Sequence, residues 1–428
     1  MKERHDRGTL LVTKGTSPRR MAMVASLVCS LSMLTGCDSF DEWLTDAYVR
    51  YVMESEDVPV DQQIADNVIT TGIITEGTTE TATEATTEST TETATEEPEP
   101  ETVTVSFAGD CTLGGYLGQG TGNTFREYYD ANGIDFFFKN VRGIFEKDDI
   151  TFVNLEGPLT NYPIVVEKEF PISGIPEYAD ILSGGSIEVC NMTNNHIFDC
   201  GQNGFDETAA LLTEREIQYC GEGYSARLTR NGIQVSCLGY RGQVNSKEVQ
   251  DKIQNDIETE REAGADVICV MFHYGEESVN YSNGTQEGIS HFAIDAGADI
   301  VVGSHPHVIQ GIEKYNGKVI CYSMGNFSFG ANRNPSDKDT YIFQQTFVKN
   351  PDGTVEYGES KVIPCRLSEM TDRNTYQPTP YTGEDAERVL ERLRQYSSKY
   401  ECSFFDEYDG IQVNEDEFRR GICEGNRR

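Results

Sequence analysis

Basic residues are scarce in this sequence. Its 428 residues include 35 lysines and arginines against 71 aspartates and glutamates, which gives a formal net charge of −36 at pH 7. Proteins recognise nucleic acids and anionic lipid surfaces through basic patches, so this charge balance argues against both as charge-recognised partners. We therefore predict that the protein has no nucleic-acid partner.

Hydrophobic residues and long apolar runs are also few. Hydrophobic residues make up 37% of the chain, below the roughly 45–50% of an average globular protein. The apolar run at 21–34 is too short to span a bilayer stably; it follows Arg19 and Arg20 and ends in LTGC. We predict a bacterial lipoprotein signal over 1–37, whose lipidated Cys37 anchors an extracytoplasmic protein to the cell membrane. An ordinary signal peptide is the alternative.

The cysteines lack the spacing of a metal site. Of the 12 cysteines, none forms a C-x-x-C pair, so a zinc–cysteine site is not expected. Cys190, Cys237, Cys269 and Cys321 lie inside apolar, strand-like runs. Export would permit disulfides, but these positions favour burial as small hydrophobic side chains.

Composition divides the chain into segments. Residues 38–74 include a short stretch with helical periodicity, and 75–101 are a Thr/Glu/Ala tract that we predict to be a disordered linker. We place a folded domain at 102–366. Residues 367–428 form a polar extension with one amphipathic helix, which either packs on the domain or ends as a peripheral element.

Alternation of apolar runs with helical periodicity predicts an α/β fold for the domain. Short apolar runs recur between residues 103 and 323, and helical stretches separate several of them. Two later runs, Tyr341–Lys349 and Tyr357–Arg366, alternate more strongly between apolar and polar residues. They suggest a second, more antiparallel sheet.

Four of the six histidines and two acids follow apolar, strand-like runs. They are Asp110, Glu156, His196, His273, His305 and His307. The carboxyl ends of strands meet at the sheet edge where open α/β proteins form their sites. Converging imidazoles and carboxylates predict a site for one or two divalent metal ions, with Zn, Mn or Fe favoured over Ca or Mg.

Each acid also has a simpler interpretation. Asp110 lies in FAGDCTLGG, where it is either a metal ligand or a turn aspartate that caps a helix. Glu156 lies in NLEGPLT, where it either holds one or two metals or is a solvated charge at the end of a strand.

The motif NNHIFDCG is the most distinctive. An asparagine amide oxygen in this motif can bind a metal, and His196 can act as a catalytic acid or orient the reacting group, with Asp199 accepting a hydrogen bond from the second ring nitrogen. Asn194 is a predicted substrate contact. A structural histidine after a strand is the alternative.

The motifs HYGEE and SHPH supply the other histidines. His305 and His307 are two residues apart, and in an extended segment both rings would point to the same side, where they would meet His273. We predict Glu276 and Asn326 as substrate contacts, although Asn326 in YSMGNFSFG is equally compatible with a tight turn.

Together, FAGD, NLEGPLT, NNHIFDCG, HYGEE, GSHPHVIQG and YSMGNFSF resemble the CapA family of bacterial poly-γ-glutamate capsule synthesis proteins, over 102–330 and on to about 366. That family is similar to the calcineurin-like metallophosphoesterases, which implies a four-layer α/β/β/α sandwich. The resemblance implies metal ligands at Asp110, Glu156, Asn195, His273, His305 and His307, and an acid at His196. Thr112 stands where the D-x-H motif of those enzymes has its histidine, which puts a complete two-metal centre in doubt.

The resemblance implies a lipoprotein at the cell surface that takes part in the biosynthesis, export or anchoring of poly-γ-glutamate capsule. Three hypotheses remain open about its chemistry. The protein is a metal-dependent hydrolase acting on a phosphoester or γ-glutamyl amide, a non-catalytic component that binds polymer or acts as a scaffold, or a structural surface lipoprotein whose site is vestigial. The implied partners are poly-γ-glutamate or a related surface polymer, other capsule-synthesis membrane proteins, and the membrane through the lipid anchor.

Overall fold

A computed structural model describes residues 100–406 of the chain. The predicted signal with Cys37, the segment 38–74, nearly all of the predicted linker and the last part of the C-terminal extension lie outside these residues. Among residues 100–406, no helix is both long and apolar enough to cross a membrane.

The described residues form sixteen β-strands. In chain order they are β1 Glu101–Thr112, β2 Gly115–Tyr116, β3 Ile150–Leu155, β4 Ile172–Ser173, β5 Val189–Asn191, β6 Gln218–Cys220, β7 Ala226–Arg230, β8 Ile233–Arg241, β9 Val267–His273, β10 Ile300–Ser304, β11 Ile312–Tyr315, β12 Lys318–Cys321, β13 Asn326–Phe329, β14 Asp339–Lys349, β15 Val355–Arg366 and β16 Thr379–Pro380. β1 begins one residue before the predicted start of the domain, because Glu101 already pairs with Lys349.

The same residues form seven α-helices. They are α1 Phe125–Asn132, α2 Arg142–Phe145, α3 Ala179–Gly184, α4 Gly201–Glu214, α5 Lys247–Glu262, α6 Gly284–Asp295 and α7 Gly383–Ser397. Short 3-10 helices span Ile134–Phe136, Pro176–Tyr178 and Phe404–Asp406. Local signals set several helix starts: Thr124 and Asn283 form capping boxes at α1 and α6, and Ser246 caps α5.

Two large sheets organise these elements. The first has the order β16-β15-β14-β1-β3-β5-β6, with β13 also paired to β1, and the second has the order β11-β12-β10-β9-β8-β7. The central strands β1, β3, β5 and β6 are parallel, as are β8, β9, β10 and β12. Their carboxyl ends therefore lie along one edge of each sheet.

Three buried clusters show that the architecture has four layers. One cluster joins both sheets, with Val105 of β1 and Met271 of β9 among its members. A second packs helices such as α4 on the outer face of the first sheet, and a third packs α5 and α6 on the outer face of the second sheet. Side chains alternate between the two faces along each strand, so one apolar run supplies both layers. The predicted α/β/β/α sandwich is confirmed.

The late antiparallel strands do not form a sheet of their own, so that prediction is wrong. β14 pairs antiparallel with β1 over Glu101–Phe107, and β15 pairs with β14, which extends the first sheet. The second sheet is instead built from 226–321. Strand alternation indicates strand type, but it carries no information on which distant strand is the partner.

The segment after Arg366 is integral to the domain. Val389, Leu390 and Leu393 of α7 are buried in the cluster between the sheets, together with Phe404. Of the nine cysteines in the described part of the chain, all are free and eight are buried, as predicted; Cys402 is exposed.

Candidate metal centre

Glu156, His305 and His307 form a compact group at the carboxyl edges of the two sheets. One ligand atom from each of the three lies within 4.8 Å of the other two. Glu156 follows β3 of the first sheet, while both histidines follow β10 of the second sheet. The group therefore spans the mouth between the two sheets, where the sequence predicts a site.

Asp110 is joined to this group through His307. Its Oδ2 lies 3.3 Å from His307 Nδ1 and accepts a hydrogen bond from the backbone N–H of His305. Asp110 is held near the end of β1 by a close backbone approach, because its N–H donates to Gly325 O. A Cβ added to neighbouring Gly109 would lie 1.9 Å from that oxygen, so a larger residue there would push β13 away.

His273 and Asn195 also adjoin Glu156, and the ring centroid of His273 lies 4.6 Å from that of His305. His273 Nε2 is 3.9 Å from Glu156 Oε1 and 2.7 Å from Asn195 Oδ1. The ring is almost fully buried, and its Nδ1 lies 3.1 Å from the hydroxyl of Ser304, which donates to Phe272 O. Nε2 of His273 and the amide oxygen of Asn195 can thus turn toward one cation together.

Two buried asparagines support the acids and histidines from behind. Asn191 Nδ2 donates to Asn154 Oδ1 at 2.9 Å, which leaves the amide of Asn154 facing the site. Asn154 Nδ2 then donates to Asp110 Oδ1 at 2.8 Å and lies 3.3 Å from His273 Nδ1. Partners of this kind fix the orientation of ligand side chains and tune their affinity for metal.

His196 and Asp199 are in direct contact, as predicted. His196 Nδ1 is 2.6 Å from Asp199 Oδ2, which also accepts from the N–H of Ile172. Lys168 donates to the other oxygen of Asp199 at 2.6 Å and to the carbonyl of Asn195. Burial alone would raise the pKa of Asp199, but hydrogen bonds from His196 and Lys168 outweigh burial and lower the pKa below its usual range.

The two histidines of SHPH converge by a different route from the one predicted. β10 ends at Ser304, and the backbone then turns with φ of 95° at His305 and 57° at His307. The segment is not extended, so strand alternation does not align the rings. Left-handed backbone at residues with side chains costs on the order of 1–3 kcal/mol and tends to occur at functional sites.

The three predicted substrate contacts differ in their surroundings. The amide of Asn194 is engaged on both sides, by Leu155 O and the N–H of His196. Asn326 lies 3.0 Å from His307 Nδ1 and also donates to His307 O, so it positions that ring. The carboxylate of Glu276 is exposed and, within the described residues, makes no hydrogen bond or ion pair with the group. Motif proximity in sequence does not determine which side chains face the mouth.

The pKa values of Glu156, His305 and His307 are shifted in different directions. Burial and the charge of Asp110 raise the pKa of Glu156 to about 7, against the opposing effect of His307. Burial would lower the pKa of His307, but the charges and hydrogen bond of Glu156 and Asp110 raise it to about 10. Burial and the charge of His307 lower the pKa of His305 to about 4. The His307 ring lies between the carboxyl groups of Asp110 and Glu156, whose negative charge a divalent cation could also offset.

Two buried atoms in the group have no hydrogen-bond partner. They are Glu156 Oε1 and His305 Nδ1. A buried acceptor without a partner costs about 1–3 kcal/mol, so native proteins rarely retain one without a reason. Carboxylate oxygen and imidazole nitrogen are ligands of Zn, Mn and Fe, and the residues present therefore fit a divalent metal of this class.

Several supporting residues carried weaker sequence signals. Asn191 and Ser304 end apolar runs, as the predicted ligands do, and that shared position would have found them. Thr112 donates to Glu156 Oε2 at 3.3 Å. Lys168 lies in an irregular loop with no local motif, so its contacts with Asp199 and Asn195 are visible only in three dimensions.

Comparison with protein families gives a match over more than half of the chain. Residues 104–331 match the family model described as "Bacterial capsule synthesis protein PGA_cap". The chain is 31% identical over 293 residues to "PGA biosynthesis protein CapA" of Bacillus subtilis (strain 168), covering 63% of this chain and 73% of that protein. It is 27% identical over 329 residues to "Capsule biosynthesis protein CapA" of Bacillus anthracis, covering 70% and 75%.

Solved structures are more distant. A novel phosphatase of Mycoplasma pneumoniae matches with a TM-score of 0.39 and 13% identity, covering 62% of this chain and 94% of that one. A hypothetical protein of Thermus thermophilus matches with a TM-score of 0.39 and 15% identity, covering 61% and 99%. The four-layer architecture rests on the strand order and the three core clusters, independently of these likenesses.

Proposed function

The chain belongs to the bacterial capsule synthesis protein PGA_cap family, and from this membership we propose that it acts in poly-γ-glutamate capsule biosynthesis as a metal-dependent hydrolase. The observation that carries the proposal is the group Glu156, His305 and His307 with its two partnerless buried atoms. Native proteins satisfy most of their buried polar atoms, and here two unsatisfied atoms belong to one group of metal-ligand residues.

The ligand side chains divide into two sets. Glu156, His305 and His307 would hold one divalent cation, with Asp110 adjoining them through His307. His273, beside Glu156 and His305, and its neighbour Asn195 would complete the coordination. A bound cation would polarise a phosphoryl or amide group and stabilise developing negative charge.

The His196–Asp199 pair supplies proton transfer. Because Asp199 engages His196 Nδ1, the nitrogen left to serve a substrate is Nε2. Lys168 donates hydrogen bonds to the carboxylate of Asp199 and to the backbone carbonyl of Asn195. One lysine therefore links the partner of His196 to a proposed ligand residue. His196 is partly exposed, with 12% of its side-chain surface accessible, which leaves the ring open to a substrate.

Metal content tests the proposal. The full chain is stripped of metal, reloaded with Mn or Zn and assayed by elemental analysis and titration calorimetry. We expect bound metal in the wild type and its loss in Glu156→Gln/His305→Ala. The control His291→Ala removes a histidine that pairs with Glu313 outside the group, and it should retain the metal. No metal in the reloaded wild type, or equal metal in the double variant, would overturn the proposal.

Non-catalytic binding of polymer is a second candidate function, favoured by Thr112. Its hydroxyl donates to Glu156 Oε2 at the position where the D-x-H motif has its histidine, so one nitrogen ligand is missing. His196→Gln separates the two functions. Loss of turnover on γ-glutamyl polymers or phosphodiesters with metal retained supports hydrolysis. Wild-type protein that binds polymer but releases no product supports the binding function.

We also infer that Cys37 carries the lipid anchor and that residues 75–101 act as a stalk at the cell surface. The support is the sequence alone, since Cys37 and residues 75–99 lie outside the described part of the chain. Cys37→Ser should move the protein from the membrane fraction to the medium. Unchanged membrane association of that variant would contradict the anchor.

A further inference from the structure

Arg241 ends β8 at the same sheet edge as the candidate metal centre. It pairs in register with His273 of β9, which in turn pairs with Ser304 of β10. These three residues therefore lie side by side on neighbouring parallel strands. Residues in register on parallel strands face the same side of a sheet, so Arg241 faces the side that His273 faces.

The residues before Arg241 show which side that is. Cys237 belongs to the cluster between the sheets, whereas Leu238 and Tyr240 belong to the cluster under α5. Gly239 also faces the first sheet, because a Cβ added there would lie 2.0 Å from Asn191 Oδ1. Arg241 continues this series, about 6.6 Å farther toward the mouth at 3.3 Å per residue.

The opposing surface at that level is the loop that follows Asn191 in the first sheet. This loop carries Asn195, whose amide oxygen contacts His273 at 2.7 Å. Thr193 in the same loop accepts from the N–H of Glu222 at 2.7 Å. Arg241 therefore borders the entrance to the centre, beside the Asn195–His273 pair.

Arg241 has no partner of its own. Within residues 100–406 its side chain is exposed and forms no hydrogen bond or ion pair, although acids outnumber bases twofold in the chain. Other arginines of the domain are paired: Arg227 with Glu260, and Arg388 with Asp339. The charge of Arg241 acts on His273 and on Glu222, but neither residue forms an ion pair with it.

We propose that Arg241 binds an oxyanion of the substrate, namely the free carboxylate of a γ-linked glutamyl unit next to the bond presented to the centre. Linkage through the γ-carboxyl leaves one α-carboxylate on every unit, and a guanidinium matches a carboxylate with two parallel hydrogen bonds. In so acidic a chain, an arginine at the entrance that forms no ion pair within the described residues gives a polyanion a local attractive field. The inference rests on the proposed function, since it assumes that substrate reaches the same centre.

Calorimetry on the full, Mn-loaded chain tests this role with a γ-linked glutamate oligomer as the probe. Arg241→Gln should bind the oligomer about tenfold more weakly, the loss expected for one charged hydrogen-bonded contact. Arg241→Lys should recover part of the affinity. The matched control Lys147→Gln removes one exposed charge that lies before β3, at the opposite ends of the strands, and should bind as the wild type does.

Two further titrations identify the kind of anion that Arg241 binds. An oligomer with its carboxylates converted to carboxamides should bind wild type and Arg241→Gln equally. Inorganic phosphate should not discriminate between these two proteins. If phosphate affinity falls in Arg241→Gln while oligomer affinity does not, the assignment to a carboxylate is overturned in favour of a phosphoryl group.

The inference and the proposed function fail in different ways. Equal oligomer affinity of wild type and Arg241→Gln, or no binding of either anion by wild type, overturns the role of Arg241. If Glu156→Gln/His305→Ala binds no metal yet retains full oligomer affinity, the centre is not where the polymer binds, and the proposed function fails instead.

Discussion

Two buried carboxylates on the first sheet have opposite surroundings. Asp339, at the start of β14, accepts hydrogen bonds from Arg388, Arg392 and the hydroxyl of Tyr381, and the two arginines lower its pKa against the effect of burial. Among residues 100–406, the carboxylate of Glu156, after β3, accepts a hydrogen bond only from Thr112, and burial raises its pKa to about 7.

The contrast separates a structural acid from a functional one. Asp339 is saturated by its partners and ties α7 to the sheet, so it has no lone pair left for a ligand. Glu156 keeps one buried oxygen free at the entrance between the sheets. The free oxygen of Glu156 marks the site because His305 and His307 converge on the same place.

The largest expected change in stability comes from replacing Asp339, whose carboxylate is saturated by its partners. Asp339→Ala should lower the free energy of unfolding by about 3 kcal/mol, because a buried carboxylate loses its charged hydrogen bonds from Arg388 and Arg392, which are worth about 1.5–3 kcal/mol each. Denaturant unfolding measures this loss. Asp385→Ala, which removes an exposed acid 3.9 Å from the same Arg388, should change stability by less than about 0.5 kcal/mol. Similar losses of unfolding free energy in the two variants would contradict the structural role of Asp339.

Metal binding should stabilise the folded protein only when the carboxylate of Glu156 is present. At a free Mn or Zn concentration 100 times the dissociation constant, the wild type should gain about 2.7 kcal/mol of unfolding free energy. Glu156→Gln should gain nothing, while Asp339→Asn should keep the full gain from its lower baseline. Thermal unfolding with and without chelator checks both. A gain retained in Glu156→Gln would place the metal elsewhere.

A third acid extends the comparison to pH. Asp148 precedes β3 at its other end, its Oδ1 is buried without a partner, and burial raises its pKa from 3.8 to about 7. Between those values the folded state holds more protons than the unfolded state, so stability should fall as pH rises from about 4 to 7. We expect Asp148→Asn to remove on the order of 2 kcal/mol of that fall. Parallel stability–pH curves for the two proteins would contradict the assignment.

The smallest effect is expected at Thr112. Thr112→Val removes the one hydrogen bond that Glu156 accepts, and should cost about 1 kcal/mol of stability or less. Metal affinity should change by less than about tenfold, because the hydroxyl supports the carboxylate without joining the ligand group. Thr112→Ser keeps the hydroxyl and serves as the control. Loss of metal from Thr112→Val alone would mean that Thr112 is itself a ligand.

The sequence was informative where a single strand determines the outcome. Apolar runs that end in Asp110, Glu156 and His273 identify strand ends, and parallel strands bring their carboxyl ends together. The contact between His196 and Asp199 was also predictable, since three residues separate them within one motif.

The remaining features depend on contacts between distant segments. The pairing of β14 with β1 joins residues more than 200 positions apart, and the left-handed turns at His305 and His307 have no signature in SHPH. Lys168 reaches Asp199 from a loop that has no recognisable motif. Arg241 is recognised only because it forms no ion pair within the described residues, which the sequence cannot show. Saturation of Asn194 likewise required knowledge of Leu155 across the sheet.

Crystallography of the Mn-loaded protein, with anomalous data collected at the Mn edge, tests the central claim most directly. We predict an anomalous peak from a metal ion that lies about 2.0–2.3 Å from Glu156 Oε1 and from ring nitrogens of His305 and His307. A loaded crystal in which Glu156 Oε1 contacts only water, with the metal bound at another place or absent, would contradict it.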